Sequence, residues 1–201
     1  MNLDDIKKAL LDGGVVGAGG AGFPTYAKLS DKAETIILNA AECEPLIKVD
    51  RQLLVEYTNE ICAGMQMLTE AMGAEEGVIA VKKSYTASIE AINSCISQYD
   101  KVRVHILPDI YPAGDEVITI YEVTGKVVAQ GQIPITQGCG NGKKMYYDNV
   151  RPLFHMMNEM ESHETSMYAW IDRVLEDADA NRLSGMFARR ILPGSYICFS
   201  G

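Results

Sequence analysis

The chain has 201 residues, of which 47% are hydrophobic and 22% are charged, and its formal net charge is −9. This composition is ordinary for a globular protein and excludes disordered, collagen-like and coiled-coil proteins. The acidic charge excludes the basic surfaces that bind nucleic acids or membranes. No run of residues reaches the roughly 18 apolar residues of a membrane span, and the acidic N-terminus is unlike a signal peptide. We therefore expect a cytoplasmic protein that neither binds nucleic acid nor inserts into a membrane.

From the N-terminus to about residue 124, apolar patterns and capping residues predict helices that alternate with strands. The predicted strands span 35–38, 78–81 and 102–107. The first predicted helix spans 2–11 and is capped by Asn2 or Asp4, and the last spans 116–123, opened by Asp115 and ended by Gly125. Between the strands, one helix is capped by Asp50 and stopped by Gly73, and another is capped by Ser84. Such alternation is typical of parallel sheets. The predicted fold class is therefore α/β, with a parallel sheet and helices on both faces.

The organisation changes after about residue 130. A loop is predicted over 138–144, and residues 149–160 and 166–190 have helical patterns that are less regular. We therefore divide the chain into an α/β domain over 1–136 and a helical C-terminal segment over 137–201, which is either divergent or truncated.

A glycine-rich run, GAGGAG over residues 17–22, fits the dinucleotide-binding pattern G-x-G-x-x-G. A Rossmann-type dehydrogenase would bind a pyrophosphate with these glycines and a ribose hydroxyl with Glu42, twenty residues further on. That fingerprint should follow a full strand and open a helix, whereas Pro24 interrupts a helix here. The backbone N–H groups of successive glycines can still bind phosphate. The alternative interpretation is a surface loop that binds nothing.

Two further polar clusters, NAAECEP over 39–45 and YPAGDE over 111–116, come after predicted strands. Ligands of open α/β sheets bind beyond the carboxyl ends of the strands, so both clusters are candidate sites. Each also has a purely structural interpretation. Pro45 can end a strand exit, while Asp115 and Glu116 can be the cap and first-turn acid of a helix. Three such clusters on one sheet favour a ligand site.

Together, the run GAGGAGFPT with Lys28, the cluster NAAECEP and the cluster YPAGDE resemble a known family. This family is the flavin-binding domain of the 51 kDa subunit of respiratory-chain NADH dehydrogenase. Within it, residues 49–51 and 106–116 are most similar to the C component of Rnf electron transport complexes and to microcompartment cobalamin reductases of the PduS type. The resemblance covers roughly residues 3–140, so 1–136 would be an FMN-binding domain.

The resemblance implies FMN as cofactor, NADH as substrate, and electron transfer to iron–sulfur clusters, with the cofactor carrying the hydride. The implied FMN contacts are Gly17, Gly19, Gly20, Gly22, Lys28, Asn39, Glu42, Tyr111, Asp115 and the displaced Asn149. Phe23 would stack on the adenine of NADH, Glu44 would contact its ribose, and Glu116 would be the catalytic residue at the nicotinamide. The chain has no metal-ligand motif, so the clusters would lie in a partner domain or subunit.

The chain also departs from the larger respiratory subunits of that family. It has Ala18 where they have arginine and Ala41 where they have an acidic residue, and it lacks their second aromatic after the lysine. A flavin site left incomplete by such changes would make the chain a non-catalytic binding or assembly module, which is the alternative function. Under the first hypothesis, a corrinoid or a membrane complex would be reached through the iron–sulfur partner. The location would be the cytoplasm, a microcompartment lumen or the periphery of a membrane complex.

Overall fold

A computed structural model describes residues 2–16, 24–29, 33–42, 47–128 and 144–149, together with Leu153 and Met157. In chain order its elements are α1 (Leu3–Asp12), α2 (Thr25–Lys28), β1 (Ala33–Ala40), α3 (Val49–Glu56), α4 (Thr58–Ala71), β2 (Glu76–Lys82), α5 (Thr86–Cys95), a 3-10 turn (Ile96–Gln98), β3 (Val102–Leu107), α6 (Glu116–Thr124) and β4 (Lys144–Asn149). The predicted helix over 166–190 lies outside the described residues. No described helix has the length and apolar composition that a membrane span requires.

The strands confirm the predicted parallel α/β fold. Within the described residues they form one sheet in the order β3–β2–β1–β4, and each neighbouring pair is parallel. The three predicted strands lie within β1, β2 and β3, and β3 has the predicted bounds.

The fourth strand, β4, has no counterpart among the predicted elements. The sequence predicts a loop up to residue 144 and a helix from 149, but residues 144–149 pair along β1 instead. Their sequence, KMYYDN, has polar residues at both ends and no run of branched apolar residues, so its pattern does not indicate a strand. The sheet thus includes residues beyond 136, and the division of the chain at that residue stays a prediction. Leu153 and Met157 are helical, as the pattern over 149–160 predicts.

Side chains of the strands alternate between the two faces of the sheet, and each face has its own apolar core. One core joins the sheet to α1, α3, α4 and α5 through strand residues that include Ile36, Leu38, Ile79 and Val81. The other joins the sheet to α6 through Ile37, Val78, Ala80 and Leu107. Each fully buried leucine or isoleucine stabilises the fold by about 1.5–3 kcal/mol. Helices therefore cover both faces, as predicted.

Capping residues set the ends of the helices that the sequence predicts best. Asn2 caps α1, and its side-chain oxygen accepts the N–H of Asp5 at 2.9 Å. Asp115 caps α6, which ends at Gly125 with φ of 69°. Gly73 follows α4 with φ of 65°, a left-handed conformation that glycine adopts without strain.

Two predicted caps are wrong. Asp50 lies inside α3, and the single predicted helix is two, because the backbone of Tyr57 leaves the helical conformation. The hydroxyl of Thr58 donates to the carbonyl of Leu54, which a continuous helix would pair with a backbone N–H. Apolar periodicity continues across this break and therefore hides it. Ser84 does not cap α5, which begins after Tyr85, because Ser84 bonds instead to the carboxylate of Asp109.

Two glycines allow close packing in the first core. A Cβ at Gly64 of α4 would lie 2.8 Å from Cγ and Sδ of Met157, so the helical residues after β4 approach α4 at this glycine. A Cβ at Gly77 of β2 would lie 2.7 Å from the hydroxyl oxygen of Thr69. Both contacts are too short for a methyl group, so each position requires glycine unless its neighbour moves.

Candidate flavin site at the carboxyl edge of the sheet

The carboxyl ends of all four strands lie at one edge of the sheet, because the strands are parallel. In the register, Ala40 pairs with Val81, and Lys82 pairs with Leu107. Asn39 pairs with Asn149, so these two candidate residues lie side by side on neighbouring strands. The fold thus brings the described candidates that follow β1, those that follow β3 and the last residue of β4 to the same edge.

Asn39 joins the exit of β1 to the loop that precedes α6. Its amide nitrogen Nδ2 donates to the carbonyl of Gly114 at 2.8 Å, and its Oδ1 accepts the N–H of Ala41 at 2.9 Å. The side chain is buried, with 8% of its surface exposed. Both ends of the amide therefore fix the main chain on two sides of the candidate site.

The loop over 108–115 is ordered by its own hydrogen bonds. The N–H of Ala113 donates to Ile110 at 3.0 Å, and the N–H of Asp115 donates to Pro112 at 2.8 Å. The Tyr111–Pro112 peptide bond is cis. The ring of Tyr111 is 82% exposed, which leaves it accessible to a ligand.

The Asp115 carboxylate caps α6, since its Oδ1 accepts the N–H groups of Val117 and Ile118 at 3.0 and 3.2 Å. The prediction that Asp115 caps a helix is therefore confirmed. Its role as a flavin contact stays a prediction.

Glu116, Asp115 and Lys28 are electrostatic neighbours. Partial burial raises the pKa of the Glu116 carboxyl above its usual range, and the negative charge of Asp115 raises it further. Lys28, the last residue of α2, opposes this shift with its positive charge. The charges of Asp115 and Lys28 therefore act on the Glu116 carboxyl in opposite directions.

Three further side chains, those of Lys82, Tyr85 and Arg51, surround the exit of β1. The Nζ of Lys82 and the hydroxyl of Tyr85 both donate to the carbonyl of Glu42, at 2.9 and 3.1 Å. The guanidinium carbon of Arg51 lies 4.5 Å from the centre of the Tyr85 ring. Arg51 belongs to the run 49–51, which carries part of the resemblance, whereas Lys82 and Tyr85 belong to no motif found in the sequence. A lysine that ends a buried strand and a tyrosine three residues later are the signals that could have indicated these two residues.

The remaining candidates, Gly17, Gly19, Gly20, Gly22, Phe23 and Glu44, lie outside the described residues. The residues that flank the glycine run are described: Val16 and Pro24 form an antiparallel bridge, and the N–H of Thr25 donates to Val15 at 3.0 Å. These bonds bring the two ends of the run together ahead of β1. A Rossmann fingerprint instead follows the first strand and opens a helix, so the Rossmann interpretation is wrong.

A sequence model described as the Nuo51 FMN-binding domain matches residues 10–158 of the chain. The chain belongs to this family. The match includes the three motifs, β4, Leu153 and Met157, and it bears out both the resemblance found in the sequence and FMN as the cofactor of the domain.

The FMN-binding domain is similar to curated redox proteins. It is 46% identical to the cobalamin reductase PduS of Salmonella typhimurium over 161 residues, which are 80% of this chain and 34% of that protein. It is 36% identical to the C component of the Na+-translocating ferredoxin:NAD+ oxidoreductase complex of Acetobacterium woodii, over 69% of this chain and 32% of that protein. The chain thus spans about a third of the length of these relatives.

Solved structures have the same fold. A chain of an NAD+-reducing NiFe hydrogenase in the H2-reduced state superposes with a TM-score of 0.68 and 27% identity, over 80% of this chain and 31% of that one. The air-oxidised state of such a hydrogenase superposes with a TM-score of 0.67.

The described side chains at the carboxyl edge of the FMN-binding domain fit a flavin nucleotide. FMN combines an anionic phosphate with a ring whose edge donates and accepts hydrogen bonds, and the edge offers the cation of Lys28 beside neutral and acidic polar groups. The buried hydroxyl of Thr25, three residues after the glycine run, has no hydrogen-bond partner among the described residues. The described residues include no cluster of histidine, cysteine and carboxylate side chains that could hold a metal ion.

Proposed function

We propose that this chain is the FMN-binding unit of an electron-transfer system that oxidises NADH and passes electrons to an iron–sulfur partner. The observation that carries the proposal is the convergence of Lys28, Asn39 and Glu116 on one edge of a sheet whose family binds FMN. When bound, FMN supplies a hydride acceptor that can release electrons one at a time. The protein supplies binding, orientation and electrostatics.

On the flavin side, the glycine run with Gly17, Gly19, Gly20 and Gly22 would offer backbone N–H groups to the phosphate. Lys28 would add a positive charge there, since it follows the run closely in the chain and its charge acts at Glu116. The remaining proposed FMN contacts are Asn39, Glu42, Tyr111, Asp115 and Asn149.

On the nicotinamide side, we assign Glu116 the catalytic position, where its carboxyl would orient the ring of NADH. Burial and the charge of Asp115 raise the pKa of this carboxyl. The nicotinamide ring becomes positively charged as it gives up its hydride, and the carboxylate of Glu116 beside it would favour that charge. Phe23 would stack on the adenine of NADH, and Glu44 would contact its ribose.

The partners follow from the names of the relatives. A cobalamin reductase acts on a corrinoid, and the oxidoreductase complex named for ferredoxin and NAD+ handles an iron–sulfur protein. We propose an iron–sulfur domain or subunit as the direct partner here, with a corrinoid or a membrane complex beyond it. The corresponding location is the cytoplasm, a microcompartment lumen or the periphery of a membrane complex.

Absorbance spectroscopy tests this function. The purified protein is mixed with FMN, desalted, and then treated with NADH under anaerobic conditions. We expect a retained flavin spectrum that NADH bleaches, and we expect Glu116→Gln to retain the flavin but to bleach more slowly. Protein that stays colourless after FMN addition would contradict the proposal and favour the non-catalytic assembly module. Retained flavin that NADH cannot bleach would contradict the NADH step alone.

A further inference from the structure

Loop 108–115 connects β3 to α6 and carries Tyr111 and Asp115, and Glu116 follows it directly. The tip of the loop is open to solvent, since 82% of the Tyr111 surface is exposed. Ala113 of the same loop is completely buried. An exposed tip gains little stability from apolar burial, so the position of Tyr111 depends on the hydrogen bonds that hold the two ends of the loop.

The first end of the loop is held by Ser84, which lies between β2 and α5. The N–H and the hydroxyl of Ser84 both donate to Asp109 Oδ1, at 3.1 and 2.6 Å. Both bonds favour the ionised carboxylate and lower the pKa of Asp109, and the positive charges of Lys82 and Lys83 lower it further. Asp109 therefore accepts two charge-assisted hydrogen bonds at neutral pH, which join loop 108–115 to the connection after β2.

The second end of the loop is held by Thr119, a buried residue of α6. Its hydroxyl donates to the carbonyl of Ala113 at 2.8 Å. A helical threonine ordinarily bonds a carbonyl three or four residues earlier, whereas this hydroxyl reaches a carbonyl of the loop that precedes the helix. Thr119 and Ala113 are both 0% exposed, so bulk water cannot replace the bond. The bond therefore fixes the loop against the first turn of the helix that begins with Glu116.

A further bond, from Asn39, acts on the next residue of the loop. Its Nδ2 donates to the carbonyl of Gly114 at 2.8 Å. The successive carbonyls of Ala113 and Gly114 are thus bonded to two different elements, α6 and β1. Because both carbonyls are fixed, the backbone between these two residues has little freedom to rotate.

We propose that Ser84 and Thr119 are positioning residues that hold the two ends of loop 108–115 and thereby set the positions of Tyr111 and Glu116 at the candidate flavin site. This inference rests on the proposed function, because these positions matter only if nucleotides bind at this edge. Neither positioning side chain has to contact a nucleotide, since Thr119 is buried and the Ser84 hydroxyl bonds to Asp109.

Two variants of Thr119 in the full chain separate positioning from packing. Thr119→Val keeps a similar shape and removes the donor to the Ala113 carbonyl. We expect a roughly threefold to tenfold rise in the Kd of FMN, measured by quenching of flavin fluorescence, and a similar fall in the rate at which NADH bleaches the bound flavin. Thr119→Ser keeps the hydroxyl and removes a methyl group, so it should keep the FMN affinity although the free energy of unfolding falls. A Thr119→Ser protein that binds FMN as weakly as Thr119→Val would mean that Thr119 acts by packing alone and would overturn the proposal.

The variant Ser84→Ala tests the first end of the loop. It removes the hydroxyl donor and leaves the N–H donor to Asp109, so we expect a roughly threefold rise in the Kd of FMN. The double variant of Ser84→Ala and Thr119→Val should bind FMN more weakly than either single variant. A double variant with the FMN affinity of the unmodified protein would overturn the proposal.

Matched controls lie on α4 and α5. Thr69→Val also removes the hydroxyl of a buried helical threonine, which donates to the carbonyl of Met65 at 2.6 Å. Ser94→Ala also removes an exposed serine hydroxyl, which donates to the carbonyl of Ala91 at 2.6 Å. Both controls should keep the FMN affinity of the unmodified protein. Equal losses in controls and loop variants would mean a general loss of folding and would contradict a positioning role.

Amide hydrogen exchange without FMN examines the loop separately from the proposed function. The N–H groups of Ala113 and Asp115 are hydrogen-bonded within the loop, to the carbonyls of Ile110 and Pro112. We expect both N–H groups to exchange faster in the double variant and at an unchanged rate in the two controls. Unchanged exchange in the double variant would overturn the positioning role, whatever FMN does. An unmodified protein that binds no FMN would overturn the proposed function, while the exchange data would still decide whether the two side chains hold the loop.

Discussion

The two ends of the parallel sheet are held together in different ways. At the amino end, partly exposed charges pair directly: Arg103 Nε lies 2.6 Å from Glu76 Oε2, and Lys126 Nζ lies 3.0 Å from Glu34 Oε2. At the carboxyl end, side chains such as Asn39 and Lys82 donate instead to main-chain carbonyls of neighbouring loops. Exposed ion pairs contribute about 0–1 kcal/mol each, and many contribute nothing measurable. At the carboxyl end, where ligands are expected, side chains thus fix the main chain of the loops, whereas these two ion pairs at the amino end join side chains to each other.

The largest expected effect comes from removing one hydrogen-bond donor at the carboxyl end while keeping the shape of the side chain that carries it. In Asn39→Asp, Oδ1 still accepts from Ala41, but the donor to the Gly114 carbonyl is replaced by a carboxylate oxygen. We expect the free energy of unfolding to fall by about 1–3 kcal/mol, since the change leaves a buried acceptor without this donor and places a negative charge beside it. FMN binding should weaken roughly tenfold, about 1.4 kcal/mol. Urea denaturation and flavin fluorescence measure the two losses.

The control for this change is Asn59→Asp. The Oδ1 of Asn59 accepts the Tyr99 hydroxyl at 2.9 Å, and aspartate keeps that acceptor at an exposed site. This control should keep both stability and FMN affinity. An Asn39→Asp protein as stable as the Asn59→Asp protein would mean that the Gly114 bond does not order the carboxyl end.

The amino end should lose stability without losing function, and Gly77→Ala tests this. The new methyl group would lie 2.7 Å from the Thr69 hydroxyl oxygen and 3.0 Å from Met65 Cε, so the packing of α4 on β2 must change. We expect a loss of about 1–3 kcal/mol in the free energy of unfolding, because an added group overpacks a close contact. The FMN affinity of the folded protein should not change.

A double variant identifies the contact responsible. Thr69→Ala removes the hydroxyl that the methyl group would meet, so Gly77→Ala should cost less in that background than alone. Equal losses in both backgrounds would place the strain elsewhere. A weaker FMN affinity in Gly77→Ala would show that the two ends of the sheet are coupled, which the comparison does not predict.

The sequence predicts local features of both ends and misses most of the contacts between elements. The caps Asn2 and Asp115 and the stops Gly73 and Gly125 act within one turn of their own helix, so their residue types suffice. Ser84 also has the residue type of a cap, but Asp109, 25 residues away, takes its hydroxyl instead. Lys82 and Tyr85 donate to the carbonyl of Glu42, a residue more than 35 positions earlier in the chain. Such tertiary partners leave no periodic pattern in the sequence.

The candidate site also combines local features, which the sequence predicts, with contacts between distant elements, which it does not. The strand ends and the motifs that follow them are local, so the sequence predicts that Asn39 and the YPAGDE loop lie at one edge. The parallel pairing of β4 with β1, which brings Asn149 beside Asn39, depends on a strand without an apolar pattern. The resemblance to a flavin family identifies Asn149 as a candidate, whereas periodicity alone assigns it to the start of a helix.

The smallest expected effect concerns the ionisation of Glu116 at the carboxyl end of the sheet, which makes the stability of the protein depend on pH. Burial, together with Asp115, raises the pKa of this carboxyl in the folded chain, so the folded state binds its proton more tightly than the unfolded state does. The stability that this group contributes is therefore present below the ordinary glutamate pKa and is lost as pH rises through the raised value.

In the FMN-free protein, Glu116→Gln should raise the melting temperature slightly at pH 7.5 and change it little at pH 4. Glu90→Gln, the same change at an exposed position of α5, should leave the melting temperature unchanged at both pH values. A Glu116→Gln protein that is less stable than the unmodified chain at pH 7.5 would mean that Lys28 stabilises the ionised carboxylate, and the acidic pair would then be a structural feature of the ligand-free fold.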